Sequence, residues 1–371
     1  MRLGINGWRA GGRLTGVGRY LVNVVSRWGA EVVDDPFDAI TLYSDREIDP
    51  DGVVIPASIR RVVMGPAAPM LVWENLRLGP ATDSDVLFCP SYTRPLLTRA
   101  RTVVVTHDLA GVVHPECFSR RQSLYNLVYR ASATHATVVL TSTEVVRSEI
   151  IRHWGVPPGR TRVVPLAAAE VFRPLSDRVV VEAARERFVG AGQPYFLFVG
   201  KTTGRRQVPM LMEAFARFRE SGANGHRLLL VGPRPSFDLQ EVAVDLGVAE
   251  SVVHAGFVPD EDLNALYNGC EALVCPSVYE TVSFPIMEAQ AAGAPVICLD
   301  APGPREITAG AAELMPHLSA ATLTEAMQRV VTDPTLRREL IEAGLTSARR
   351  FSWERTSRET LRVLAEAGTT T

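Results

Sequence analysis

Two glutamates in the stretch 275–306 are spaced so that both can serve one binding or catalytic site. Seven residues separate Glu280 from Glu288. Glu280 follows an apolar strand in an exposed loop, whereas Glu288 falls in the first turn of a helix predicted to open at Pro285 and to lead into a strand at 295–299. A loop and the helix after it lie at the same end of a strand, so both carboxylates can point into one cleft.

Three cations follow another predicted strand. The apolar run PYFLFVG ends at Gly200, and Lys201, Arg205 and Arg206 come next, just ahead of a predicted helix. Cations beside the positive end of a helix dipole form a good site for a diphosphate. Ordinary surface charge before a helix is the alternative.

A glycine-rich loop in residues 7–20 joins the first predicted strand, LGIN, to an amphipathic helix. Backbone N–H groups and the helix dipole at such a junction favour a bound phosphate. The full GxGxxG spacing is missing, and no acidic residue stands at a strand end about 20 positions on, which argues against a dinucleotide. A tight turn at Gly16 and Gly18 that binds nothing is the alternative.

His107 and Asp108 follow the β-branched run 102–105, which predicts a buried strand. Ligand sites of open α/β sheets lie at this carboxyl end, although a histidine there can also simply cap a loop. Asp83 and Asp85 form a DxD pair, but they precede their strand. A metal site is expected past the carboxyl end, so these aspartates are not predicted to bind metal.

The segment 118–136 predicts an amphipathic helix with arginines on its outer face. Its exposed residues are predicted to be Arg120, Arg121 and Arg130, and its inward residues Leu124, Leu127 and Val128. A solvated basic face is favoured over contact with an anionic acceptor or a membrane.

The composition describes an α/β protein of more than one domain. The 371 residues are 46% hydrophobic and 22% charged, and a net charge of -2 gives no field that would attract nucleic acid. The five cysteines form no CxxC pair and indicate reduced, structural thiols. No run approaches about 18 apolar residues, so a cytoplasmic protein is expected, with peripheral membrane contact and oligomeric state left open.

Alternating strand and helix periods predict two doubly wound, parallel-sheet α/β domains. Proline and polar residues interrupt both periods near 173–177. The predicted domains are therefore 1–173 and 174–350, with 351–371 a helix that crosses back to the first domain. Ligands are expected in the cleft between the strand ends of the two sheets.

Motifs over nearly the whole chain resemble glycosyltransferase family 4. They occur in family order, as TGVGRY, WENLRL, HDL followed by HPECFS, VG with six residues to Arg206, GFVPDEDLNALY, PSVYE, and EAQAAGAPVI around Glu288. The resemblance implies the GT-B fold, in which two Rossmann-like domains face a central cleft. Residues 1–173 would then form the acceptor-side domain, and residues 174–350 the domain that binds the nucleotide-sugar donor. The resemblance also implies transfer of a sugar from a nucleoside diphosphate with retention of anomeric configuration.

The resemblance assigns roles to the matching residues. Those implied to hold the donor diphosphate are Gly16, Lys201, Arg205 and Arg206. Those implied to contact the transferred sugar are His107, Asp108, Glu280, Thr281, Val282 and Ser283. Those implied to meet the ribose and base are Glu288, Gly232 and Val258. Catalysis is implied to rest on His107, Glu280, Arg205 and Arg206.

The sequence departs from the family pattern at two places. Arg206 stands where many relatives have lysine. Arginine keeps the positive charge, but its planar guanidinium offers N–H donors in a different geometry from the lysine ammonium. The loop between the glutamates usually reads Gly-Phe-Gly and offers backbone N–H groups to sugar hydroxyls, whereas this chain has Thr281-Val282-Ser283. Those donors survive the replacement only if the loop needs no positive φ.

The sequence thus predicts a hexosyltransferase with a donor of the GDP-mannose or UDP-hexose type and a hydroxyl acceptor on a glycan, a lipid-linked sugar or a small molecule. Cations at the leaving diphosphate would replace a divalent metal, so no cofactor is expected. Three alternatives remain: a glycosidase with carboxyl groups about 5–9 Å apart, a non-catalytic sugar-nucleotide-binding protein, and an NAD-dependent dehydrogenase.

Overall fold

The structure, a computed structural model, describes residues 1–11, 16–29, 36–48, 55–222, 225–235 and 237–369, except for the side chains of 120–122. The chain divides into two compact units, Met1–Leu166 with Ser352–Thr371, and Ala167–Phe351. The segment that follows Leu166 belongs to the second unit because Phe172 packs in that unit's core and the Arg173 N–H donates to Asn264 Oδ1 at 3.1 Å. The division therefore falls ahead of residue 173.

The first unit contains a seven-stranded sheet within the described residues. Its strands are β1 (Arg2–Asn6), β2 (Ala39–Ser44), β3 (Ile59–Val63), β4 (Val86–Cys89), β5 (Arg101–Val105), β6 (Val138–Thr141) and β7 (Thr161–Val163). They lie in the order β3-β2-β1-β4-β5-β6-β7, and their pairings are parallel. The central strands are buried on both faces, which explains their continuous apolar sequence.

Helices cover this sheet. They are α1 (Gly16–Val25), α2 (Met70–Trp73), α3 (Gly79–Ala81), α4 (Ala110–Val113), α5 (Arg120–His135) and α6 (Glu144–Glu149). Glu74–Leu78 and Ile150–Trp154 are π-helical turns, and Trp8–Ala10, Pro115–Cys117 and Pro158–Arg160 are 3-10 turns.

The second unit repeats the architecture with a six-stranded sheet in the part of the chain that the structure describes. Its strands are β8 (Tyr195–Val199), β9 (Arg227–Val231), β10 (Val252–Gly256), β11 (Ala272–Cys275), β12 (Val296–Leu299) and β13 (Glu313–Met315), in the order β10-β9-β8-β11-β12-β13. Its helices are α7 (Arg178–Phe188), α8 (Val208–Glu220), α9 (Leu239–Asp245), α10 (Asp260–Gly269), α11 (Phe284–Ala292), α12 (Pro302–Thr308), α13 (Ala320–Thr332) and α14 (Pro334–Ala348), with a 3-10 turn at Gly204–Arg206. The predicted fold class, two doubly wound parallel-sheet units, is confirmed.

The last helix, α15 (Trp353–Thr369), belongs to the first unit and packs on α1. The Ser357 hydroxyl donates to Val24 O at 2.8 Å, and the Trp28 indole N–H donates to Ser357 O at 3.2 Å. Among the described residues, no helix is both long and apolar enough to cross a lipid bilayer.

The predicted inward face of the helix in 118–136 is wrong. Leu124 and Leu127 on α5 are each 64% exposed, and Val128 is half-buried. The helix meets the core farther along, through the partly buried Tyr129 and the fully buried Ala133. Helical periodicity shows that an apolar stripe exists, but it does not tell which of two stripes faces the sheet.

Candidate active site

The second sheet reverses its order of connection between two neighbouring strands, β8 and β11. From β8 the chain continues to β9 and β10 on one side, and β11, β12 and β13 extend on the other. Ligands of open α/β sheets bind outside the carboxyl ends of the strands at such a switch point. The loops that follow β8 and β11, residues 200–207 and 276–283, therefore carry the candidate donor site.

Arg206 and Glu280 join these two loops. Arg206 Nη1 lies 2.7 Å from Glu280 Oε1, and the two side chains are 13% and 2% exposed. The backbone of the neighbouring Arg205 accepts from the Val278 N–H at 2.9 Å, and its guanidinium donates to Tyr279 O at 3.0 Å. A carboxylate buried this deeply needs a paired cation, so Arg206 fixes Glu280 at the strand edge.

Lys201 lies on the same loop and is exposed. It pairs with no carboxylate among the described residues. Arg205 is half-buried, and the loop leads directly into the N-terminus of α8. The site thus presents an exposed ammonium, a guanidinium and the positive end of a 13-residue helix, which together attract an anion.

Glycines line the neighbouring strand ends. Gly200 and Gly232 follow β8 and β9 with φ values of 143° and 144°. A Cβ atom added to Gly232 would lie 2.2 Å from Gly200 O, so only glycine fits there. Val258 follows β10 and is partly buried, whereas its neighbour Phe257, which the sequence reasoning missed, is 58% exposed.

Glu288 is buried on α11. The helix begins at Phe284, one residue earlier than predicted, which places Glu288 in the second turn and not in the first. Its Oε2 accepts the Tyr267 hydroxyl at 3.0 Å. Burial, followed by the charge of Glu288, raises the pKa of Tyr267 well above its usual value, so Tyr267 remains a donor to the carboxylate. Sequence reasoning did not single out Tyr267.

The loop 281–283 does not require glycine. Across the described chain the non-glycine residues with positive φ are Tyr92, Gln207 and Ala309, so Thr281, Val282 and Ser283 have ordinary backbone angles. Thr281 and Ser283 are buried as whole residues, so the partly buried Val282 carries most of the accessible surface of this loop.

A glycine outside the loop supports it from α12. A Cβ atom on Gly303 would lie only 1.8 Å from Glu280 O. Gly303 therefore permits the close backbone approach that holds Glu280 in place.

In the first unit the order of connection reverses between β1 and β4. Gly16 is exposed at the start of α1, and residues 12–15 of the predicted glycine loop lie outside the described residues. His107 follows β5. Its Nε2 lies 2.9 Å from Pro90 O, and because a carbonyl only accepts, this nitrogen carries the proton. Loss of solvent lowers the pKa of His107, so the ring is neutral at pH 7.

Glu74 is a fully buried carboxyl that the sequence reasoning left without a role of its own. It begins a π-helical turn and accepts hydrogen bonds from Asn6 Nδ2 at 2.7 Å and from Thr93 Oγ1 at 2.8 Å. Its Oε2 has no hydrogen-bond partner among the described residues. Burial raises the pKa of Glu74 to about 7.

Asp83 and Asp85 lie at the amino end of the first sheet, where both carboxylates contact Arg2. Asp83 forms an ion pair with Arg2 at 2.7 Å, and Asp85 accepts the Arg2 N–H at 2.7 Å. Throughout the described ranges, no group of three or more His, Cys, Asp or Glu side chains is arranged to hold a metal ion.

Two glycosyltransferase families match the chain, one in each unit. Residues 15–167 match the family described as Glycosyl transferase 4-like domain, and residues 182–346 match Glycosyl transferases group 1. The O-antigen chain mannosyltransferase B of Escherichia coli is 26% identical over 372 residues, which cover 94% of this chain and 95% of that protein. The chain is a glycosyltransferase of the family 4 type.

Other glycosyltransferases are similar over part or all of this chain. The D-inositol 3-phosphate glycosyltransferase of Corynebacterium aurimucosum is 25% identical over 74% of this chain and 66% of that protein. The solved structure of Anabaena HepE in complex with UDP-glucose has a TM-score of 0.78 at 15% identity, covering 99% of this chain and 100% of that one. The likeness confirms the GT-B fold of this glycosyltransferase.

Proposed function

We propose that this glycosyltransferase moves a hexosyl group from a nucleoside diphosphate sugar to an acceptor hydroxyl, with retention of anomeric configuration. The observation that carries the proposal is the ion pair between Arg206 and Glu280 at the switch point of the second sheet, with Lys201 exposed on the same loop. Cations at this edge of the sheet suit the diphosphate of a sugar nucleotide, and the buried carboxylate suits the hydroxyls of its sugar.

The chemistry needs cations where negative charge develops. The bond between the anomeric carbon and the diphosphate oxygen breaks, and its electron pair stays on the diphosphate. The acceptor oxygen forms the new bond to the anomeric carbon, and its proton passes to the leaving phosphate. Lys201, Arg205 and the N-terminus of α8 would stabilise the negative charge on the leaving diphosphate. Stabilisation of the transition state by preorganised charges and dipoles is usually the largest single contribution to enzyme catalysis.

The two glutamates would hold the donor at different points. Glu280, fixed by Arg206, would accept hydrogen bonds from the sugar, and Glu288, held by Tyr267, would accept them from the ribose hydroxyls. We assign His107 to the transferred sugar as a neutral ring. No protein nucleophile is required, because the acceptor would attack the anomeric carbon from the face that the diphosphate leaves. No protein base is required either, because the leaving phosphate takes the acceptor's proton.

The names of the similar proteins support donors of the GDP-mannose or UDP-hexose type. One relative is called a mannosyltransferase, and the structural neighbour was solved with UDP-glucose. The non-catalytic alternative was suggested by the replacement of the usual glycines in the loop 281–283. Because this loop has no residue with positive φ, it does not require glycine, and this supports an enzyme. Metal independence and a cytoplasmic location belong to the same proposal.

Thermal unfolding of the full chain against UDP, GDP, ADP and dTDP tests the donor site. A nucleotide at 100 times its Kd should stabilise the chain by about 2.7 kcal/mol. For a unit of this size, that shifts the midpoint by roughly 5–11 °C. The Lys201→Ala variant should lose most of the shift, whereas Arg217→Ala, an exposed change on α8, should keep it. Absence of a shift with all four nucleotides would refute the donor site.

A further inference from the structure

Glu74 holds the loop 90–93, which follows β4, through a single carboxyl oxygen. Its Oε1 accepts the Thr93 hydroxyl at 2.8 Å and Asn6 Nδ2 at 2.7 Å, so the carboxyl joins this loop to the end of β1. Thr93 and Asn6 are buried as well. The second oxygen, Oε2, is buried and has no hydrogen-bond partner among the described residues. Buried polar groups are normally satisfied, so this carboxyl calls for a role beyond packing.

The backbone is irregular on both sides of this contact. Glu74 begins a π-helical turn, and such turns occur mostly at functional sites. In the loop, Tyr92 has a φ of 61°, which is uncommon for a bulky residue and persists only where neighbouring contacts impose it. On one side of Tyr92, the Arg9 guanidinium donates to Ser91 Oγ at 3.0 Å. On the other side, Thr93 is bound to Glu74, which therefore helps to impose this conformation.

The same loop holds the ring of His107. Pro90 O, at the start of the loop, accepts the His107 Nε2–H at 2.9 Å. The Tyr92 ring meets the His107 ring edge-on, with centroids 5.4 Å apart at 68°. The carbonyl and the tyrosine ring both belong to the loop that Glu74 fixes. A change in the hydrogen bonds of Glu74 therefore reaches His107 through two contacts.

Both protonation states of Glu74 are accessible near pH 7. Burial raises its pKa to about 7, although the bonds from Thr93 and Asn6 and the charge of Arg9 oppose that rise. The other titratable or charged groups around this carboxyl and the loop are Cys89, Arg94, His107, Asp108 and Tyr129. Burial raises the pKa of Cys89 and Tyr129 and lowers the pKa of His107, so these three are neutral at pH 7.

We propose that Glu74 is a positioning residue whose uptake and release of one proton changes how firmly the loop 90–93 holds His107, and that sugar transfer depends on pH for this reason. An ionised carboxylate accepts charge-assisted hydrogen bonds from Thr93 and Asn6, and these are roughly twice as strong as bonds to the neutral acid. Ionisation of a buried group lowers the stability of the fold, but it strengthens the bonds that the group accepts. His107 is therefore held more firmly above pH 7 than below it.

The proton is exchanged with solvent and resides on Oε2 of Glu74, since Oε1 already accepts two hydrogen bonds. The inference rests on the proposed function, because His107 is assigned there to the transferred sugar. It adds to that function a control by pH, exerted by a side chain that does not itself touch the substrate.

NMR of the His107 ring tests the coupling on the full chain without any substrate. Histidine labelled with ¹³C at Cε1 gives a ring signal for each of the seven histidines, and the signal that is lost in His107→Gln belongs to His107. In the wild type this signal should shift with pH in two steps, one from the ring itself at lower pH and one near pH 7 from Glu74. Glu74→Gln should lose only the step near pH 7. The exposed Glu186→Gln, which removes the same charge from α7, should keep both steps.

Thr93 supplies a matched pair of variants. Thr93→Val removes the hydroxyl at nearly the same volume and should abolish the step near pH 7, whereas Thr93→Ser keeps the hydroxyl and should keep the step. A step that survives in Thr93→Val would mean that Glu74 acts on His107 only through its electric field, and would overturn the positioning role. If thermal unfolding shows that Thr93→Val is not folded, the comparison of Glu74→Gln with the wild type decides.

The rate of sugar transfer measures the consequence. With the donor that shifts thermal unfolding, the ratio of kcat/KM between the wild type and Glu74→Gln should rise about fivefold from pH 6 to pH 8, because a ratio cancels the ionisations of the substrates. Transfer with a flat ratio, or a single step in the His107 signal of the wild type, would refute the inference alone. Absence of transfer with every donor, together with two steps in that signal, would refute the proposed function and leave the positioning of His107 by Glu74 intact.

Discussion

Glu74 predicts a specific dependence of stability on pH. Its pKa is raised from 4.5 to about 7 by burial, so between these values the folded chain binds a proton that the unfolded chain has released. Stability therefore falls as pH rises through this range. The difference in pKa, at about 1.4 kcal/mol per unit, amounts to roughly 3 kcal/mol. The substitution Glu74→Gln removes the titration and keeps an oxygen that accepts from Asn6 and Thr93.

Differential scanning calorimetry from pH 5 to pH 8 measures this effect. Relative to wild type, Glu74→Gln should gain about 6–12 °C in the unfolding midpoint of the first unit as pH rises, since about 1 kcal/mol shifts a unit of this size by 2–4 °C. Glu186→Gln, at an exposed position of α7, controls for the loss of one negative charge. A midpoint difference between Glu74→Gln and wild type that does not change with pH, or that shrinks as pH rises, would refute the assignment.

Three further variants test other parts of the structure. Leu124→Ser with Leu127→Ser should change stability by less than about 1 kcal/mol because both side chains are exposed, and a loss of several kcal/mol in denaturant titration would favour the inward face predicted from periodicity. Gly232→Ala should cost about 2 kcal/mol or more and weaken nucleotide binding, since its Cβ would meet a carbonyl oxygen. Gly159→Ala, where the added Cβ meets no atom within 4 Å, should change neither stability nor nucleotide binding. An equal loss of stability in Gly232→Ala and Gly159→Ala, measured by calorimetry, would contradict this reasoning. Tyr267→Phe removes a donor from a buried carboxylate and should cost about 1–3 kcal/mol and reduce nucleotide affinity, whereas unchanged affinity would separate that carboxylate from the donor site.

Much of the fold could be predicted because the relevant signals are local. The strands are continuous apolar runs, such as Val86–Cys89, and parallel sheets bury both faces of their strands. The cations at 201–206 and the two glutamates could be placed at strand ends for the same reason. Their pairing could not, because the loops of β8 and β11 become neighbours only through the order of strands in the sheet.

The contacts of Glu74 and the backbone conformation of Tyr92 could not be predicted from the sequence for a related reason. Glu74 contacts Asn6, which is 68 positions away, and no local pattern signals that contact. The positive φ of Tyr92 is imposed by side chains from other segments, whereas local rules would place glycine or asparagine in that conformation. The loop 281–283 shows the converse, since a family rule suggested glycines that its observed backbone does not need.

The most direct test of the central claim is the rate of sugar transfer by Lys201→Ala. Lys201 is exposed and pairs with no carboxylate among the described residues, so its loss should leave the fold intact. With the donor that shifts thermal unfolding, kcat/KM should fall about a hundredfold or more, as expected when a charge stabilising the leaving group is removed. Arg217→Ala should transfer sugar at the wild-type rate. If Lys201→Ala also stays within about threefold of the wild type, the cations of this loop do not serve the leaving diphosphate, and the proposed donor site is wrong.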